Sequence, residues 1–283
     1  MSALVDPFLD NAFLARALIA GLLVAVACAA VGTYVILRGL AFVGEALGHG
    51  VLPGVAAAIL LGAPQLLGAA VAAAIMIVGV TVIVRHTRFS ANTALGLLFV
   101  AMLSLGVVIV SRSDSFTGDL TRILFGDILG ISWQDIYVQL GFTVAVVAVV
   151  LVCSRPFLLL CFDPEQAKVM GFDPRFYENV LLAAIATTVV VSFQSVGTLL
   201  VLGMLLAPAG TAALFTRRVG TTMAIGSAIG IVSVIAGLLL SYHFDLAAGA
   251  MIVVVACVTF FAGLIATSVA RRRPAGAGSV PVP

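Results

Sequence analysis

Six stretches of this chain run for 19 residues or more without a single Asp, Glu, Lys, Arg or His: 17–37, 66–84, 89–111, 136–154, 219–242 and 246–270. A helix that crosses a bilayer needs roughly 20 apolar residues, because the hydrocarbon core is about 30 Å thick and each residue adds 1.5 Å. A membrane β-barrel would show short segments of alternating polarity instead, and these runs are continuous. Composition agrees with helices in lipid: 63% of the 283 residues are hydrophobic and 9% charged, against about 25% charged in a soluble domain.

Two further stretches complete the count. Residues 40–62 are equally apolar apart from Glu45 and His49. Residues 179–216 carry no charge over 38 positions, too long for one crossing, and SFQSVG at 192–197 offers a turn near the middle. The expected fold class is all-α, a polytopic integral membrane protein with 8–9 transmembrane helices, nine on this division. Residues 1–270 form one membrane domain, and the Pro/Gly-rich remainder, 271–283, is expected to be a disordered cytoplasmic tail.

With nine crossings the termini lie on opposite sides, and the basic residues select the cytoplasmic one. Arg38, Arg85, Arg88, Arg155, Lys168, Arg175, Arg217, Arg218 and Arg271, Arg272 and Arg273 fall on the C-terminal side, 11 of 14. Arg16, Arg112 and Arg122 fall opposite, together with Asp6, Asp10, Asp114, Asp119, Asp127, Asp135 and Asp245. The expected topology has an external N-terminus and a cytoplasmic C-terminus. The first residues lack the basic region of a cleavable signal peptide, so the first run is read as a retained span. Cys28, Cys153, Cys161 and Cys257 have neither zinc-site nor disulfide spacing and are read as packing residues. His86, between Arg85 and Arg88, is read as part of a solvated basic loop.

Two connections exceed a simple turn. The external one, 112–135, mixes charged and apolar residues and suits a short helix at the interface or dipping into the bundle. The cytoplasmic one contains Asp163-Pro164 and Asp173-Pro174. Asp as N-cap with Pro in the first helical position starts a helix, and Gly171 suits the end of one. A short cytoplasmic helix over 164–170 is expected, followed at once by the next span.

Glu45 and His49 are four residues apart, so on a helix they share a face. Ionisable groups at membrane depth cost several kcal/mol on insertion scales and usually face a cavity or a partner. A carboxylate with an imidazole suits a divalent transition metal. Gly44, Gly48, Gly50 and Gly54 leave little bulk around the pair, and Pro53 frees a backbone carbonyl one turn back. The plainer reading is polar glue between helices; a proton relay is a third. No HExxH or GxSxG motif occurs, which leaves an intramembrane hydrolase without a nucleophile or metal site. Near the external end of the last span, His243 and Asp245 are candidates for a cation entrance, although interfacial residues of this kind are common.

The segment LRGLAFVGEALGHGVLPGVAAAILLG resembles the signature helix of permease subunits of zinc and manganese ABC importers, at Arg38, Glu45, His49, Leu52, Pro53 and Gly54. The segments LTRILFGDILGIS and SVGTLLVLGMLLAPAGTAALFTRR resemble two further family segments, and FDPEQAKVMGFDP stands where the family docks its ATPase. The likeness runs from about 24 to 269. It departs from the family in Glu45, where Asp is usual, and in Gly48, where Ser or Ala is usual.

The resemblance implies a type II ABC importer permease in a bacterial cytoplasmic membrane, carrying Zn2+ or Mn2+ inward along a path lined by Glu45 and His49. It implies a second permease protomer, two cytoplasmic ABC ATPase subunits and an extracytoplasmic metal-binding protein. Asp163, Pro164, Glu165, Gln166, Ala167, Lys168, Val169, Met170 and Gly171 would couple to the ATPase. The chain has no P-loop, so ATP is used by the partner subunit, and no permanently bound cofactor and no nucleic acid is expected. The alternative is a secondary, proton-coupled transporter of metal or small solute that uses Glu45 and His49 as an intramembrane relay.

Overall fold

A computed structural model describes residues 11–111 and 130–272. The described residues form eleven helices and no strand: α1 Ala12–Leu37, α2 Ala41–Gly50, α3 Leu52–Leu61, α4 Gln65–His86, α5 Ala91–Val110, α6 Trp133–Val152, α7 Ser154–Phe162, α8 Pro164–Val169, α9 Pro174–Phe215, α10 Val219–Phe244 and α11 Ala248–Arg272. Eight segments are long and apolar enough to cross a membrane, α2 and α3 counting together as one, and Leu200–Phe215 is a shorter apolar helix.

The chain turns back within α9, as the long uncharged stretch requires. Gly197 has φ 78° and ψ 165°, a conformation essentially closed to residues with a Cβ. Before it, Glu178 sits beside Arg38 at the C-terminal end of α1. After it, Val201 meets Cys28, Leu205 lies against Gly32, and Gly210 approaches Ile36. The second half therefore descends parallel to α1 and returns to the end where α9 began. At 1.5 Å per residue it spans only about 24 Å.

α1 is the centre of the bundle. Ala17, Ala20, Cys28, Val31, Tyr34 and Val35 are wholly buried. Gly21, Ala25 and Ala29 face Val234, Gly230 and Gly226 of α10 in reverse order, so those two helices are antiparallel. Small residues allow this close approach, and in lipid, where apolar side chains gain nothing by leaving the solvent, such packing holds helices together. The outer helices show the complementary pattern: Leu67, Val71, Ile75, Val78 and Val82 form an exposed apolar stripe at helical spacing along α4, a face suited to acyl chains. Gln139 of α6 is buried and donates from Nε2 to the Ala20 carbonyl at 3.1 Å.

The connection after α6 differs in part from the reading of the sequence. Where one short helix over 164–170 was expected, a second helix precedes it: residues 154–162 form α7; Pro156 falls in its first turn, where no intrahelical N–H is needed. The two Asp-Pro starts are as expected. Asp163 accepts from the Glu165 and Gln166 amides at 3.0 Å each, and Asp173 accepts from Arg175 at 3.0 Å. α8 ends at Val169, one residue short of the expected 170. The Phe172 amide donates to Ala167 and the Gly171 amide to Lys168, with Gly171 at φ 83°: a Schellman cap. At the C-terminus α11 continues to Arg272, into the stretch expected to be tail. The expected helix in 112–135 falls mostly outside the described residues; those that follow begin α6 with a Ser132–Asp135 capping box.

Candidate functional site

α2 is a ten-residue helix cut off from α3 at Val51. The Val51 amide still donates to Leu47 at 3.2 Å, but Pro53 has no N–H to give the His49 carbonyl. The ladder therefore lapses at the residue that carries the imidazole. Val43, Ala46, Leu47 and Gly50 are buried, while Phe42 and Glu45 are exposed and His49 is half-buried. Phe42, Glu45 and His49 are spaced i, i+3, i+7, so one stripe of α2 is left open.

Neighbouring helices hold the break from behind. A Cβ on Gly50 would overlap the Met76 sulfur of α4, and Gly54 and Gly68 approach so closely that a Cβ on either would overlap the other's carbonyl. A Cβ on Gly106 of α5 would come within 2.9 Å of the Leu52 Cβ and 3.1 Å of the Pro53 nitrogen. Phe99, also on α5, stands edge-on to both His49 and Phe42, at 5.9 Å from each ring. The imidazole is thus steadied on one side and open on the other.

Glu45 has no hydrogen bond or ion pair with the described residues. No cluster of three or more His, Cys, Asp and Glu forms among those residues. One chain accordingly offers a carboxylate and an imidazole on a shared open face, half of a four-ligand set.

His243 and Asp245 are brought to the end of α10, both exposed. The His243 Nδ1 lies 2.8 Å from the Leu239 carbonyl, leaving Nε2 outward, and Asp245 caps the helix at φ 51°. α10 packs on α1, α9 and α11, whereas α2 packs on α9, α5 and α4. The structure does not bring these two residues to Glu45 and His49.

α8 presents Glu165, Lys168, Val169 and Met170 outward on a buried Ala167. Lys168 pairs with Glu165 at 2.8 Å. The same end of the bundle holds the Tyr34 hydroxyl, 3.4 Å from the Ser154 carbonyl, and the Arg38–Glu178 ion pair at 3.2 Å. Burial pushes the Cys161 thiol up, against the opposing pull of the Arg38 guanidinium nearby. Arg217 and Arg218 border a cavity of about 550 Å3 at that end, with Thr33, Ile36, Leu158 and Phe162. Phe99, Gly106 and the Arg38–Glu178 pair were not found from the sequence; each depends on a contact between distant segments, and no local spacing signals it.

The chain matches the ABC 3 transport family over residues 10–267. It is 35% identical over 255 residues to the manganese transport system membrane protein of Halalkalibacterium halodurans, covering 90% of this chain and 87% of that one. It is 34% identical over 264 residues to the chelated iron transport system membrane protein of Yersinia pestis, covering 93% and 88%. Among solved structures it superimposes on a chain of PsaBC from Streptococcus pneumoniae in complex with Fab, with a TM-score of 0.83 and 32% identity over 92% of this chain and 95% of that one.

Proposed function

The chain belongs to the ABC 3 transport family, and from that premise we propose that it is the membrane permease of an ATP-driven importer for a divalent transition metal, manganese first. The observation that carries this reading is the open stripe of α2, where Glu45 has no hydrogen bond or ion pair among the described residues and His49 is held edge-on by Phe99 next to a broken helix. A second copy facing this stripe supplies the other Glu45 and His49. Two carboxylates and two imidazoles make a site for Mn2+, Fe2+ or Zn2+. Such a site binds transiently, because a pathway must release its cargo.

The relatives named for manganese and for iron transport support a metal cargo and favour manganese; zinc enters as a competitor in the assay below. α8 is the contact for a cytoplasmic ATPase subunit, one per permease copy, and a metal-binding protein delivers the ion from outside. The cluster of Arg38, Arg155, Lys168, Arg175, Arg217 and Arg218 at one end of the bundle supports a cytoplasmic placement of that end, of α8 and of the C-terminus. His243 and Asp245 belong to the external rim.

The test is uptake of radioactive manganese by the complex reconstituted in liposomes with ATP inside, with zinc and iron as competitors. Uptake must require the ATPase subunit and fail in Glu45→Gln and His49→Ala. Uptake driven by a proton gradient without that subunit would favour the relay reading instead. Full uptake in both variants would remove the site.

A further inference from the structure

Between α8 and the Glu45–His49 helix lies an ion pair with an uncommon setting. Arg38 caps the end of α1, and its side chain is only 16% exposed. One guanidinium nitrogen donates to Glu178 at 3.2 Å, while Nη1 is buried with no partner among the described residues. A charge in that position is held in place by its single counterion, and removing the counterion leaves an uncompensated buried cation.

The two partners belong to different parts of the machine. Glu178 lies in the second turn of α9, whose N-cap Asp173 comes four residues after Val169, the end of α8. Phe172 and Phe176 stand edge-on to Tyr177 at 5.6 and 5.3 Å, Tyr177 packs on Phe157 at 6.5 Å, and Phe157 on Tyr34 at 5.3 Å. The beginning of α9 is thereby packed on α7 and, through Phe157, on Tyr34 of α1, one turn before Arg38. Arg38, by contrast, is the last residue before Gly39, at φ 65°, and Leu40, which lead into α2. Glu45 is one turn further on. Behind the pair, Leu40, Val43 and Leu47 of α2, Leu40 being its N-cap, and Leu182 of α9 border a cavity of about 40 Å3 that Glu178 also lines.

We propose that Arg38 and Glu178 are positioning residues for transport: their ion pair is the strut that carries motion of α8, through the start of α9, to the helix bearing Glu45 and His49. This rests on the importer reading, with α8 as the ATPase contact. The pair touches neither cargo nor nucleotide. Its role is to keep hydrolysis and transport in step.

The experiment measures ATP hydrolysis and manganese uptake together in the reconstituted complex, for the unaltered permease, Glu178→Gln, Arg38→Gln and the double variant. Glu178 is half-exposed and Gln is nearly its isostere, so Glu178→Gln opens no cavity, and the double variant leaves no buried charge unpaired; size-exclusion profiles of all three check folding. Each single variant should hydrolyse ATP within about twofold of the unaltered complex while uptake per ATP falls about tenfold, inside the usual range of coupling between sites. The double variant should be no worse than either single, because partners in one interaction lose it only once.

An unchanged ratio of uptake to ATP in the single variants overturns the strut. So does a double variant whose defect is the product of the two. Loss of hydrolysis in equal measure with uptake also overturns it, since the pair would then govern the ATPase and not the relay. A complex of unaltered chains without any ATP-driven uptake would refute the importer reading, and the strut with it.

Discussion

Segments 41–61 and 174–215 both break inside the bundle, the first at Val51 before Pro53 and the second at Gly197. The second break is architectural. It turns an uncharged stretch back on itself, and the returning half lies along α1 with Leu205 against Gly32. The first break comes six residues after the exposed carboxylate of Glu45 and two after the half-buried imidazole of His49. Equal interruptions thus serve different ends. A broken helix opens backbone, but only ionisable side chains on an exposed stripe turn it into a place for a cation.

The largest effects are expected at α2. Glu45→Gln and His49→Ala should each lower manganese uptake by more than about 100-fold, since even outer-shell partners of a metal are commonly worth 10–100-fold. The folded complex should survive, because Glu45 is exposed and its carboxylate is not used in packing; size-exclusion profiles equal to those of the unaltered complex check this. At α9 the opposite signature is expected. Gly197→Ala forces a Cβ into a conformation that costs about 1–3 kcal/mol, so the thermal midpoint falls while the metal dependence of the remaining uptake is unchanged.

A smaller effect is expected at α8. Asp163→Ala removes the acceptor for two amides, a loss of about 1 kcal/mol in helix stability, and should lower uptake per ATP severalfold. Asp163→Asn, which keeps a capping oxygen, should recover most of it. The mildest change belongs to the rim. His243→Ala and Asp245→Asn are exposed substitutions, and Asn tolerates the left-handed backbone at 245; each should raise the half-saturating metal concentration about twofold and leave maximal uptake intact. The twofold figure is the scale of a single screened surface charge.

What the sequence discloses in this chain is whatever depends on local spacing. The apolar runs place the spans, the two Asp-Pro pairs place the starts of α8 and α9, and the four-residue separation puts Glu45 and His49 on one face. The stretch SFQSVG marks the reversal that Gly197 makes. What escaped is nonlocal or ambiguous. α7 begins with Ser-Arg-Pro, which reads as a breaker until the proline is seen in the first helical turn. Phe99 supports His49 across fifty residues, and Arg38 reaches Glu178 across 140. Arg38 reads as a cytoplasmic basic residue and as part of the segment that resembles the signature helix; its burial against Glu178 is a property of packing, which no spacing rule carries. Glu45 was expected to be a site on grounds of membrane depth, and the structure adds that its face is open.

In the proposed importer, cargo metal sits between the α2 stripes of two copies, on Glu45 and His49. Pulsed electron paramagnetic resonance of Mn2+ held by the purified complex reads this directly, because imidazole nitrogens bound to the ion couple to its spin. The account predicts nitrogen couplings from two equivalent imidazoles in the unaltered complex and none in His49→Ala. Nitrogen couplings that persist unchanged in His49→Ala would contradict it.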